Sequence, residues 1–111
     1  MSCTVADVGT DAFSVEINHG GFFVGNGNNM SYVNGSVIWY DFLDIQTWSP
    51  AMVENVVEDI GYEMQGRIKV HYCIPVLTIR TNGLRQIRSE HDTIQMSEFV
   101  GIGHHFISFF M

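Results

Sequence analysis

Five histidines and two cysteines are the side chains here with the most reactive chemistry. His71 and Cys73 stand two apart in an alternating run, which puts both on one face of a strand. With a third ligand such a pair would bind a metal ion. Metal sites show recognisable ligand spacing, however, and His19, His71, His91, His104, His105, Cys3 and Cys73 make no CxxC or HxxxH element. The plain alternative is a strand face that carries both, and neither a metal nor a cofactor is expected. Nucleophilic chemistry fares no better. Two neighbours on one strand face rarely adopt the geometry of a nucleophile and its base, and no third group orients them. No G-x-S-x-G elbow is present. The stretch Gly25-Asn26-Gly27-Asn28-Asn29 contains GxG but lacks the lysine and helix start of a phosphate loop, so it reads as a hairpin connection. No catalytic activity is expected.

Charge is the other resource. Twelve acidic against five basic residues leave a formal net charge of -7. A phosphate-backbone binder needs a basic stripe, so nucleic acid is not the expected ligand. Asp41 and Asp44 precede a helical pattern, and Glu54, Glu58 and Asp59 lie along it; Glu90 and Asp92 come later. These seven form a candidate acidic docking face for a basic partner, the alternative being a solvated helix surface. Arg80, Arg85 and Arg88 are the basic counterpart. Acidic face to arginine face would make a head-to-tail homo-oligomer with open ends.

The elements that must carry these groups read as follows. Residues 1–11 are small, polar and without period, a disordered leader. Phe13, Val15 and Ile17 alternate with polar residues as a half-buried strand. Phe22 to Val24 and Met30 to Val33 are β-prone. Asn34-Gly35 is the strongest hairpin signal, with Ser36 to Phe42 returning; Val37, Trp39 and Asp41 take one face, Ile38, Tyr40 and Phe42 the other. Ser49-Pro50 opens a helix over about residues 50–60, with Met52, Val53, Val56, Val57 and Ile60 inward and Gly61 as its stop. Ile68, Val70 and Tyr72 alternate in a strand ended by Pro75, and a further strand is expected from Val76 to Ile79. Asn82-Gly83 turns the chain into Leu84 to Arg88. Ser89 caps a short second helix with Ile94 and Met96 inward. His104 to Met111 is an apolar closing strand, expected at the centre of the sheet and buried on both faces. The fold class is α+β: a mixed four- to five-stranded sheet with one main helix, the ubiquitin-like β-grasp order. Residues 12–111 are expected to form one domain, which 46% hydrophobic residues can stabilise without disulfides.

Particular residues carry a family resemblance. The run from Phe13 to Phe23 with its His19-Gly-Gly-Phe-Phe segment, Tyr32-Val-Asn-Gly35, Trp39, Asp41, Asp44 and Thr47-Trp48-Ser49 resemble the plant Phox/Bem-like domain. So do Gly61-Tyr62, Gly83-Leu84-Arg85, Ile87, Ser89, Asp92 and Met96. The resemblance implies a β-grasp protein-interaction module of the kind found at the N-terminus of plant Mutator-type transposase-like proteins. It departs in two places. Phox/Bem pairing sets a first-strand lysine against an acidic loop, whereas this first strand carries Glu16, and the loop is reduced to Ser89-Glu90-His91-Asp92.

The sequence therefore points to a protein-binding module, self-associating or not, in a cytoplasmic or nuclear setting. With few cysteines, no basic-then-apolar leader and no long apolar run, neither secretion nor a membrane is indicated. The alternatives are a nucleic-acid-associated accessory domain derived from a transposase N-terminus, or a stand-alone competitive regulator of a longer relative.

Overall fold

The computed structural model describes residues 12–62 and 68–111. The leader assigned to residues 1–11, with Cys3, lies outside the described residues. Strand β1 (Ala12–His19) is the organising element, because Phe13, Val15 and Ile17 all point to one face and are buried there. Two short strands follow, β2 (Phe22–Val24) and β3 (Ser31–Val33), and then the long strand β4 (Ser36–Asp44). Helix α1 (Pro50–Ile60) leads to β5 (His71–Cys73) and β6 (Leu84–Gln86); helix α2 (Glu90–Gly101) and strand β7 (Phe106–Phe110) close the chain.

Five strands form one sheet in the order β4-β1-β7-β5-β6. The first and last of them, β1 and β7, are parallel neighbours, and the other pairs are antiparallel. This mixed α+β arrangement is the β-grasp. Its inner face supplies Phe13, Val15, Ile17, Tyr72, Ile107 and Phe109 to one core with Val53, Val56 and Val57 of α1 and Met96 and Val100 of α2. Truncating a fully buried aromatic such as Phe13 to alanine costs about 3–5 kcal/mol.

Both helices start where their local chemistry dictates. Ser49 Oγ accepts from the Met52 N–H, Pro50 occupies the first turn, and Gly61 at φ 118° ends α1. Ser89 and Asp92 close a capping box on α2, which at 12 residues is slightly longer than the 11-residue α1. None of the described helices is long and apolar enough to cross a membrane.

Four details differ from the sequence expectation. Asn34-Gly35 does not close a hairpin between β3 and β4: β3 pairs with β2 in a separate ribbon, and β4 pairs with β1. Burying β1 outweighs the local turn signal, so Asn34, at φ 60°, instead turns the chain from the ribbon onto the sheet edge. Residues Val76 to Ile79 are a turn, not a strand. The Leu77 N–H bonds the Ile74 carbonyl, Thr78 and Thr81 cap each other around a 3-10 turn, and Val76 is 70% exposed. Ile94 is 51% exposed. Asp92 must reach back to the start of α2, and that phase turns Thr93, Met96 and Val100 inward. Finally, β7 is central as expected, but only Ile107 and Phe109 are fully buried. On its outer side Phe110 is half-buried and Phe106 exposed.

The ribbon explains that difference. It covers one end of the sheet's outer face, with Phe23 and Tyr32 packed on Phe110 at ring-centroid distances of 6.0 and 5.4 Å. The other end, around Phe106, stays open.

Candidate functional site

The charged side chains are sorted by the order of the strands. From Ala12 to Tyr62 the chain holds Glu16, Asp41, Asp44, Glu54, Glu58 and Asp59 and no Lys or Arg. From Ile68 to Ser89 it holds Lys69, Arg80, Arg85 and Arg88 and no Asp or Glu. The first segment forms the β4 edge of the sheet and α1, the second the β6 edge, so on the strands and α1 the two signs sit at opposite ends of the strand order. Glu90, Asp92 and Glu98 of α2 stand on the arginine side, Glu98 lining one pocket with Arg85.

On the acidic side, Tyr40 ties the sheet edge to the helix. Its hydroxyl donates to Asp59 Oδ2 at 2.6 Å. Burial, and then this bond and the nearby charge of Asp59, push the phenol up to about 12. Ser14 Oγ donates to Asp41 Oδ1 at 2.7 Å, and the Gln46 N–H donates to Asp44 Oδ1 at 2.9 Å. Three of the carboxylates are thus oriented by single hydrogen bonds at an exposed surface. Glu54 and Glu58 are exposed on α1.

The structure does not bring all seven acidic candidates together. Glu90 and Asp92 lie on the first turn of α2, directly after Arg88 and Ser89. Asp92 Oδ2 accepts from the backbone N–H of Arg88 at 2.9 Å and of Ser89 at 3.0 Å. Against the opposing effect of burial, the Arg88 N–H foremost, helped by Ser89, holds this carboxyl below its ordinary range. Asp92 is engaged in starting a helix.

The arginines share the β6 side without forming one cluster of contacts. Arg80 sits on the 3-10 turn Ile79–Thr81 and lines an open cavity of about 530 Å³ with Asn28, Met30 and Leu84. Arg85, on β6, folds back so that Nη1 donates to the carbonyls of Asn82 and Leu84 at 2.7 and 2.8 Å. Arg88 lies in the link before α2.

The reactive candidates are placed as follows. Cys73 is buried, and burial raises its thiol pKa, so the thiolate is disfavoured. His71 lies on the same outer face, under Phe23. Burial foremost, and then the charge of Lys69, lower its pKa, and its Nδ1 is buried with no hydrogen-bond partner. Among the described residues no three His, Cys, Asp or Glu side chains converge in a metal-holding group.

The sequence pattern does not single out an apolar patch that the structure exposes on β4. Opposite Ser14, β4 carries two residues, Asp41 and Phe42, where regular pairing needs one. This bulge throws Phe42 out at φ 60°, and the side chain is 89% exposed. Leu43 takes the inner position opposite Phe13 instead. Val37 and Trp39 are exposed on the outer face, and Trp39 packs on Phe106 with ring centroids 5.1 Å apart. The signal was the near-continuous apolar run Val37-Ile-Trp-Tyr-Asp-Phe-Leu43, richer than a strand with one buried face requires.

The family model for the PB1-like domain matches residues 9–110. No curated protein and no solved structure matches the chain.

Proposed function

Because the chain belongs to the PB1-like domain family, ubiquitin-like β-grasp modules that bind proteins and are generally not catalytic, we propose that it docks the basic surface of another protein on its acidic side. That side is made of Asp41 and Asp44 on β4 and Glu54, Glu58 and Asp59 on α1. A second copy of this chain, presenting Arg80, Arg85 and Arg88, is one protein that fits, and the resulting contact is head-to-tail. The observation that carries the reading is the separation of charge along the strand order. A net charge of -7 repels copies at long range, so association requires the opposite patches to meet closely. Contacts of this kind raise the association rate and fix register more than they add affinity.

The polarity suits this chain's own residues. The first strand carries Glu16, whose carboxylate accepts from Asn18 Nδ2 and Ser108 Oγ, so no basic group stands there to receive an acidic partner. Glu90 is left as a secondary acidic point beside Arg88, Asp92 being taken up by the cap of α2. The test is charge reversal with rescue. Asp41→Lys with Asp44→Lys should abolish self-association, and mixing that variant with Arg85→Glu plus Arg88→Glu should restore association between the two variants. Association unchanged in both variants would remove the acidic side from the account.

A further inference from the structure

The β4 edge offers more than charge. Among the described residues β4 is bonded to β1 on one side only, and its other side carries the unpaired backbone groups of a nine-residue strand, the longest described. Proteins ordinarily blunt such an edge with lysine, proline or short length, and β4 has none of these. Its bulge twists the strand at Asp41 and Phe42, which leaves Ser36 to Tyr40 as the regular part. Apolar side chains are exposed along it: Val37, Ile38 and Trp39, with Phe106 beside Trp39 and Phe42 at the bulge. Phe42 pays for its exposure with a left-handed backbone that a bulky residue rarely adopts, so two unfavourable features coincide at one exposed residue.

We propose that this edge receives an extended segment of a partner protein as a sixth strand, and that the segment alternates apolar residues with lysine or arginine. The alternation follows from the two faces of β4. A strand added next to it has one set of side chains beside Val37, Trp39 and Phe106, which is an apolar surface. The other set lies on the helix side, beside Ile38 and Tyr40, where Tyr40 is bonded to Asp59 and Glu58 is its neighbour, with no Lys or Arg anywhere from Ala12 to Tyr62. Valine-like residues fit the first face and basic residues the second. A second copy fits this edge poorly. Its β4 would bring Asp41, Asp44 and Asp59 against the same groups, and its β6 offers only three residues.

This inference rests on the protein-binding reading and specifies how one partner is held. The experiment uses the whole chain and a heptapeptide alternating lysine and valine, with amide exchange and chemical shifts read residue by residue. Exchange at β4 amides between Ser36 and Tyr40 should slow by about tenfold or more at saturating peptide. A peptide alternating glutamate and valine should give no protection, and one N-methylated at alternate residues should lose it. Phe42→Gly accepts the positive φ without strain and keeps the fold, yet should weaken peptide binding by about tenfold.

Salt-sensitive shifts at Asp41, Asp44 and α1 without β4 protection would overturn strand addition and leave charge docking standing. No shift with either peptide would count against both. Concentration-dependent β4 protection without peptide would make a second copy the occupant and overturn the proposed partner.

Discussion

The Tyr32 hydroxyl donates to the Met111 carbonyl at 2.8 Å while accepting from the Gly21 N–H at 2.9 Å. One side chain of the ribbon thus ties its entry point to the residue that follows β7. Tyr32→Phe removes both bonds and keeps the ring on Phe23 and Phe110. The expected cost is about 1–3 kcal/mol in urea denaturation, with faster exchange of the Gly21 amide.

Tyr40 and Asp59 should govern the alkaline limb of stability. The folded phenol lies at about 12, above its ordinary value of 10.0, so its contribution is complete below pH 10 and lost as pH rises through 12. Tyr40→Phe should flatten stability over that window. Asp59→Asn should bring the Tyr40 phenolate titration down, read by ultraviolet absorbance.

His71 should set the slope near neutrality. Its folded pKa is lowered from 6.5, so stability is complete above that value and falls as pH drops through the folded one. The groups facing it are Phe23 of the ribbon, Phe110 of β7, Gln86 of β6 and the neighbouring Lys69. His71→Gln should remove the slope, measured as denaturation midpoints between about pH 7.5 and pH 5.

Asp92 separates a structural carboxylate from a docking one. Asp92→Ala should cost about 1 kcal/mol through the lost cap of α2. Its folded pKa is depressed below 3.8, so the wild-type contribution is present above that value and disappears as pH falls further. Association should be nearly unchanged in this variant, in contrast to reversal at Asp41 and Asp44.

These residues also show what could be read without coordinates. Ser49, Pro50 and Gly61 delimit α1 by chemistry that acts within one or two turns, and the alternation of Phe13, Val15 and Ile17 states directly which face is buried. The α+β class and the central place of the closing strand followed from element order and the connection rules. Pairing decided at long range was not legible. Asn34-Gly35 carries a hairpin signal, but the partner of β4 is chosen by the burial of β1, and the ribbon takes up the residues between. Phe42 reads as sharing a face with Ile38 and Tyr40 until the bulge shifts the register by one. Among the acidic candidates, proximity in sequence joined Glu90 and Asp92 to the rest, whereas the fold sets them on α2 beside Arg88. The exposed side of Val37, Trp39 and Phe106 needs residues from β4 and β7, far apart in the chain, and the apolar run from Val37 to Leu43 marks only the β4 part of it.

Sedimentation equilibrium over a range of protein concentrations, at about 0.02 M and about 0.5 M salt, bears most directly on docking between opposite charged sides. The account predicts an average mass that rises with concentration in low salt and returns to the monomer in high salt. A monomer at every concentration in low salt would contradict docking between copies.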